Sequence, residues 1–354
     1  MEVAIGFGAF ARGPGEWKEA VRFVQEAERL GVRYVWTAET WGFDAATPAA
    51  YIAAHTERIK IGTGVMQLGS RSPAMIAMTA MSLNSMSGGR FVLGLGASGP
   101  QVVEGWHGVR FARVLPRIRD AVAIIRLVTS GQRVEYHGEY YELPLPGGEG
   151  KALRSAAPPM EIPIYLATLS PKSLELTGEI ADGWLGTSFM PEHAEIFFAP
   201  LRKGAERAGR RLEDLDLQAT GGVVAFGEDV ERLIQPRKPG LAFTLGAMGS
   251  ARHNFYNDAY RRAGYEEAAR EVQRLWLEGK REEAAQRVPD ELVLKSNLLG
   301  TPQMVKERLR KHRDAGVTTI RVQPEGRTPE ERLETLAQLM ELVREVNAES
   351  PARA

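Results

Sequence analysis

The feature that most constrains this chain is an alternation between short apolar runs and longer stretches with apolar residues at helical spacing, kept up over nearly its whole length. Residues 3–7 read as a strand. Residues 17–30 then repeat apolar side chains at Val21, Val24, Ala27 and Leu30, and Gly31 follows as a terminator. The pairing recurs as strand 34–37 with helix 48–55, strand 59–66 with helix 73–86, and strand 91–95 with helix 114–128. It continues as strand 164–167 with helix 171–180, strand 184–187 with helix 191–208, and strand 217–226; helix 302–315, strand 319–322 and helix 329–346 complete it. Strands separated by helices are joined by crossovers, which make parallel sheets. Seven or eight such units fit a doubly wound sheet or a closed barrel. The barrel takes that many without leaving edges, so the expected fold is α/β, a (β/α)8 TIM barrel.

One barrel with insertions accounts for all 354 residues, so 1–354 read as a single domain. Two stretches break the rhythm. Residues 130–160 are rich in Gly and Pro and contain an alternating run around Tyr136 and Tyr141 that suits a hairpin. Residues 241–295 read as helical and polar, dominated by charges and alanine. Neither has linker composition, and both fall in βα loops, where barrels keep their function.

Composition removes several classes of chemistry. The chain has no cysteine, which excludes disulfides, thiolate nucleophiles, thiolate-held zinc and iron–sulfur clusters. Lys+Arg and Asp+Glu stand at 45 each, so no overall field draws nucleic acid or an anionic membrane. The first residues read as a strand rather than a signal peptide, and no apolar run is long enough to span a membrane, so the expected location is the cytoplasm. The six histidines show no metal-ligand spacing, and no metal is expected. No Gly-x-Ser-x-Gly elbow occurs, and the glycine-rich segment ending at Lys151 lacks the first glycine and the hydroxyl residue of a phosphate loop.

Four segments carry candidate chemistry. Gly94-x-Gly96-x-x-Gly99 directly follows a strand, as a dinucleotide fingerprint does. Context argues against nicotinamide binding: the unit is the fourth along the chain, Pro100 follows, and Asp120, the acid some twenty residues on, lies inside a helix. A plain tight turn, or a loop that lets a planar ligand lie against the backbone, remains; the small residues Ala97, Ser98 and Gly99 favour the second. Gly62 and Gly64 inside a strand mark a bulge, a close backbone approach or a crowded interior. Ser170, after Thr168 and Leu169, stands as an N-cap with Pro171 at the first helical position. Such a helix start suits a phosphate, and capping alone explains it equally. After the second strand come Glu39, Trp41, Phe43 and Asp44, and a carboxylate at a barrel strand end reads as functional. His107 reads as a solvated loop histidine.

Taken together, segments 61–66, 83–96, 98–106, 181–184, 300–309 and 315–317 resemble the bacterial-luciferase-like superfamily of flavin- and deazaflavin-dependent oxidoreductases. Within it they are most similar to the coenzyme F420-dependent branch, the middle section to methylenetetrahydromethanopterin reductase. The resemblance implies hydride transfer between F420 and a small organic, pterin-like substrate. It implies a non-proline cis peptide at Gly64–Val65, forming with Met66 a bulge behind the deazaflavin ring. Glu39 and Trp41 become the catalytic candidates, with Glu39 near the ring. Ala97, Ser98 and Gly99 would lie along the ring edge or ribityl chain, and Thr168, Leu169 and Ser170 would receive the phosphate. By the same analogy the chain forms a homodimer or homotetramer.

The chain departs from the sugar-phosphate dehydrogenases of the group. Their Asp-His after strand two reads Glu39-Thr40 here, and their acid after strand four aligns with Pro100. This argues against glucose-6-phosphate chemistry and leaves no obvious general acid or base, which suits direct hydride delivery to an iminium carbon. Two other readings stay open: an FMN-dependent monooxygenase, and a cofactor-binding protein without turnover.

Overall fold

The structure is a computed structural model that describes residues 1–7, 13–249 and 254–349. Eight parallel strands form its centre: β1 Glu2–Gly6, β2 Tyr34–Thr37, β3 Lys60–Thr63, β4 Phe91–Gly96, β5 Ile164–Ala167, β6 Gly183–Gly186, β7 Asp216–Phe226 and β8 Thr319–Pro324. Each pairs with the next, and β8 returns to β1 with Ile320 opposite Val3 and Val322 opposite Ile5. The sheet is closed, so the barrel expectation holds and the doubly wound alternative falls.

Alternation along each strand separates two apolar environments. Val3, Ile5, Val35, Ile61, Leu93, Ile164 and Ile320 point outward and are buried beneath the surrounding helices. Ala4, Tyr34, Trp36, Val92, Tyr165 and Leu185 form a separate cluster inside the barrel. Burial on both faces is why the strands read as unbroken apolar runs rather than alternating ones.

The N-terminal end of the barrel is closed by a polar knot. Asp216 Oδ2 accepts from the Tyr34 hydroxyl at 3.0 Å, the Tyr165 hydroxyl at 2.8 Å and Gln218 Nε2 at 2.9 Å, while Oδ1 accepts from Thr318 and Thr319. Burial and the neighbouring carboxylate push both tyrosine hydroxyls well above their usual range, so they stay protonated and donate. Above this knot the Trp36 indole stacks on Tyr34 and donates to Gln218 Oε1 at 3.1 Å. The interior is thus filled from below, and only its C-terminal end is left for a ligand.

The single strand expected over 59–66 is two pieces. β3 stops at Thr63, the Gly64–Val65 peptide is cis, and Met66–Gln67 resumes the pairing against Leu95 and Gly96 of β4. The helices Pro73–Met86, Pro171–Ile180, Pro302–Asp314 and Pro329–Ala348 all begin alike. Ser72, Ser170, Thr301 and Thr328 each accept from the amide three residues on, with proline at the first turn.

Both insertions carry structure. Within 130–160 the expected hairpin is present as Tyr136–His137 against Glu142–Leu143. Asp120, buried in the helix Val114–Thr129, pins it by accepting from the Tyr136 hydroxyl and the amides of Tyr140 and Tyr141. The second insertion is helical as expected but has a core of its own. Ala242, Leu245, Val272, Leu275, Leu292 and Val293 pack together there. The strand Leu298–Gly300, just after it, extends the sheet along the upper half of β7. The charges of the insertion lie on the outer faces of amphipathic helices such as Glu266–Leu277.

Candidate active site

At the C-terminal end of the barrel, β3 and β4 build a wall with almost no side chains. A Cβ on Gly94 would collide with the Thr63 carbonyl oxygen, and a Cβ on Gly96 would come within 2.7 Å of Val65 Cγ2. Thr63 also clasps Gly94 through its hydroxyl, donating to the carbonyl at 2.8 Å and accepting from the amide at 3.1 Å. The first two glycines of the apparent dinucleotide fingerprint are therefore consumed by strand packing. Val65 rests on Gly96, half-buried, and contacts the interior cluster. Met66 is fully buried and turns outward into the helix-covered core, supporting the bulge from behind.

Beyond β4, Ala97, Ser98 and Gly99 are half-buried and continue the chain from Gly96. Ser98 adopts a left-handed backbone (φ 60), and Gly99 is extended and leads into the short helix Pro100–Val103. From there the Gln101 side chain donates to the Gly249 carbonyl, so the second insertion reaches this loop.

After β5, Thr168 is buried with its hydroxyl paired to Thr177 at 2.7 Å, and its carbonyl accepts from Trp184 Nε1 at 3.0 Å. The Leu169 carbonyl accepts from Arg262 of the insertion at 2.6 Å. Ser170 caps its helix and shares a 2.8 Å hydrogen bond with the Ser173 hydroxyl. Because several other helices start with the same cap, the hydroxyl at 170 alone marks nothing. The Ser170–Ser173 hydroxyl pair distinguishes this start from the others.

Glu39, at the end of β2, is held by the two loops that flank it. Its Oε1 accepts from the Gln67 amide at 2.8 Å, from Ser70 at 3.5 Å and from Arg71, and its Oε2 accepts from the Ala45 amide at 3.0 Å. The carboxylate is buried and both oxygens are engaged, so it ties the loop after β2 to the loop after Met66–Gln67. Trp41, on the loop so anchored, is 56% exposed at the rim. His107 is half-buried with its Nε2 unpartnered, while Trp106 beside it is exposed. No group of His, Asp or Glu able to hold a metal occurs among the described residues.

The sequence reading missed Arg321. It lies on β8 between Ile320 and Val322, which both turn outward into the core, so its side chain enters the barrel. There its guanidinium donates to the Gly186 carbonyl at the end of β6. An arginine flanked by apolar residues in the last strand was the available signal. Tyr256, from the second insertion, is the ionisable group that acts on it, and burial raises that hydroxyl's pKa.

The arrangement is a flat, backbone-lined wall on β3–β4, a capped helix start beside it, and polar groups on the opposite side. The glycines let the strands of this wall close on one another and leave little but backbone, Val65 and small residues facing the barrel mouth.

Comparison with known proteins gives the family and the fold. Residues 3–319 match the model of the luciferase-like monooxygenase family. A Mycobacterium tuberculosis protein provisionally named a coenzyme F420-dependent oxidoreductase is 40% identical over 329 residues, covering 90% of this chain and 94% of its own. The 5,10-methylenetetrahydromethanopterin reductase of Archaeoglobus fulgidus is 29% identical over 310 residues, 86% of this chain and 89% of its own. The structure of the coenzyme F420-dependent tetrahydromethanopterin reductase of Methanopyrus kandleri superposes with a TM-score of 0.79 at 23% identity, covering 95% of this chain and 97% of that one, and shares the fold. The chain belongs to the luciferase-like monooxygenase family.

Proposed function

We propose that the chain is a coenzyme F420-dependent oxidoreductase that passes a hydride between the deazaflavin and a small organic substrate, a pterin-like one first among the candidates. The observation that carries this reading is the contact of Val65 on Gly96 beside the small residues Ala97, Ser98 and Gly99. It makes a wall shaped for a ring and too tight for side chains. The relative named for coenzyme F420 supports the cofactor, and the reductase of Archaeoglobus fulgidus supports the substrate class.

The reduced deazaflavin, when bound, supplies the hydride. Val65 backs the ring, with Gly64 giving the close approach and Met66 supporting it from the core. Ala97, Ser98 and Gly99 lie along the ring and its side chain. The helix start at Ser170, with Thr168 and Leu169 before it, takes the phosphate. Glu39 acts as a positioning residue, since its lone pairs are spent on Arg71, Ser70 and backbone amides. Trp41 forms the rim against which the substrate packs. A site whose strand-end carboxylate is so engaged suits an electrophile that accepts hydride directly, with the protein providing orientation and exclusion of water.

Titrating the fluorescence of the deazaflavin with purified protein tests the reading, with FMN in parallel. Saturable deazaflavin binding, and its oxidation by a pterin-like acceptor, is the expected result. Micromolar FMN binding with none for the deazaflavin would overturn it in favour of the monooxygenase reading. Binding without oxidation by any acceptor in a broad panel would leave a cofactor-binding protein.

The chain also works, we infer, as a homodimer, with a homotetramer as the alternative. Helix Pro73–Met86 carries no charged residue, and Met75, Met78 and Met86 are 50–60% exposed on its outer side. Beside it a cavity of 780 Å³ lies between Met78, Met81, Met86, Val134, Leu153 and Met160. An uncharged helix with three methionines in water, broken only by hydroxyl residues such as Ser82 and Ser85, suits a buried setting, and a second copy supplies one.

A further inference from the structure

We propose that Arg321 holds an anionic oxygen of the substrate, so that the site selects small molecules bearing a carboxylate or a phosphate; this rests on the proposed hydride-transfer reading. The strand order sets the geometry. In an eight-stranded barrel β8 stands across from β4, so a ring seated against Val65 and Ala97–Gly99 turns its open face toward Arg321. Arg321 pairs in register with Ala4 of β1 and Thr220 of β7 and reaches to the last residue of β6. Its guanidinium therefore spans the side of the barrel that the cofactor wall leaves free.

The surroundings of this cation are unbalanced. Among the described residues its one hydrogen bond is to the Gly186 carbonyl, and its Nε is buried without a partner. Four other little-exposed arginines, Arg71, Arg237, Arg308 and Arg313, each hold a carboxylate: Glu39, Glu325, Glu192 and Asp314, and the half-buried Arg90, which holds none, donates instead to four backbone carbonyls and the Thr56 hydroxyl. Arg321 has no such partner among the described residues, and the nearby Tyr256 hydroxyl, kept protonated by burial, supplies no counter-charge. Burial lowers its pKa to about 10, which leaves it a cation at neutral pH. A desolvated cation without a counter-ion is costly, and a ligand anion removes that cost. Guanidinium N–H groups match carboxylate and phosphoryl oxygens in direction and charge. Cofactor and substrate both supply such oxygens, but the proposed cofactor phosphate lies at Ser170, after β5, and the free face belongs to the substrate.

The test uses the full-length chain labelled with 15N-arginine, in which the Arg321 Nε resonance is assigned by its loss in Arg321→Met. Acetate and inorganic phosphate, titrated with chloride as control, are expected to shift that resonance; no shift with either would overturn the proposal. Arg321→Met is expected to weaken use of a carboxylate substrate about tenfold to a hundredfold, while its neutral amide is unaffected. Deazaflavin affinity is expected to be unchanged in the variant; if it falls instead, the anion belongs to the cofactor and the substrate assignment is wrong. Arg321→Lys, which keeps the charge with fewer donors, is expected to retain part of the preference. It also carries the test should the methionine variant fail to fold. If the wild-type chain binds no deazaflavin, the proposed function falls, and the acetate and phosphate titration alone decides whether Arg321 is an anion site.

Discussion

Val65 packs so closely on the Cα of Gly96 that a single added methyl would sit 2.7 Å from Val65 Cγ2. Valine is short and branched at Cβ, so it has no room to swing aside and must be displaced into the barrel mouth. Gly96→Ala is therefore expected to cost about 1–3 kcal/mol of stability by overpacking, leaving the barrel folded. Deazaflavin affinity is expected to fall far more than stability, because the displaced side chain occupies the ring's place. Fluorescence titration beside urea unfolding checks both; unchanged affinity in a folded variant would remove the wall from the proposed site.

Glu39 offers a choice between two roles that one substitution separates. Its side chain is 6% exposed and that of Arg71 19%, so the pair is largely desolvated. Breaking it in Glu39→Ala is expected to cost about 3 kcal/mol, read by urea unfolding. The milder Glu39→Gln keeps an acceptor for the Gln67 amide and is expected to retain most of the turnover. A general acid or base at this position would instead lose roughly 10²–10⁴-fold in kcat with stability little changed.

The barrel was legible because strands buried on both faces and helices ending at residues such as Gly31 leave period and punctuation in the sequence. The strand-three bulge was legible only through the resemblance, since Gly62 and Gly64 alone fit a bulge or a crowded interior equally. In fact Gly62 lies beneath the Trp36 ring, so both readings describe one neighbourhood. Asp120 illustrates what local pattern hides. It sits in a helix with an amphipathic sequence, yet its carboxylate holds a hairpin twenty residues away, a partnership that only tertiary structure creates. The engagement of Glu39 was illegible for the same reason: its partners Ala45, Gln67 and Arg71 come from two loops. In the sequence Arg321 is one charge in a strand, and strand direction and depth, not residue type, put it inside the barrel.

The proposed dimer depends on the outer face of helix Pro73–Met86, where Met78 is 59% exposed. A glutamate there would be buried against the partner's apolar surface without a counter-charge. Met78→Glu is expected to convert the dimer to a monomer in sedimentation velocity, with the circular dichroism spectrum unchanged. A wild-type chain that sediments as a monomer at micromolar concentration would refute the dimer directly.

His312 gives a pH dependence whose sign is fixed by its environment. It is buried in the helix Pro302–Asp314, its Nδ1 lies 2.8 Å from the Arg308 carbonyl, and its Nε2 has no partner. Burial pushes its pKa down from 6.5 to about 4. The unfolded chain therefore takes up a proton here at higher pH than the folded one, and stability rises with pH across that window. The contribution is fully present above pH 6.5 and is lost as pH falls toward 4, by about 3 kcal/mol in all. Carboxylates also titrate in this range, so the diagnostic quantity is a difference between proteins. Urea unfolding at pH 7 and pH 4.5 is expected to show a smaller stability loss for His312→Gln than for wild type. Equal losses would mean that the histidine is charged, or solvated, in the folded state.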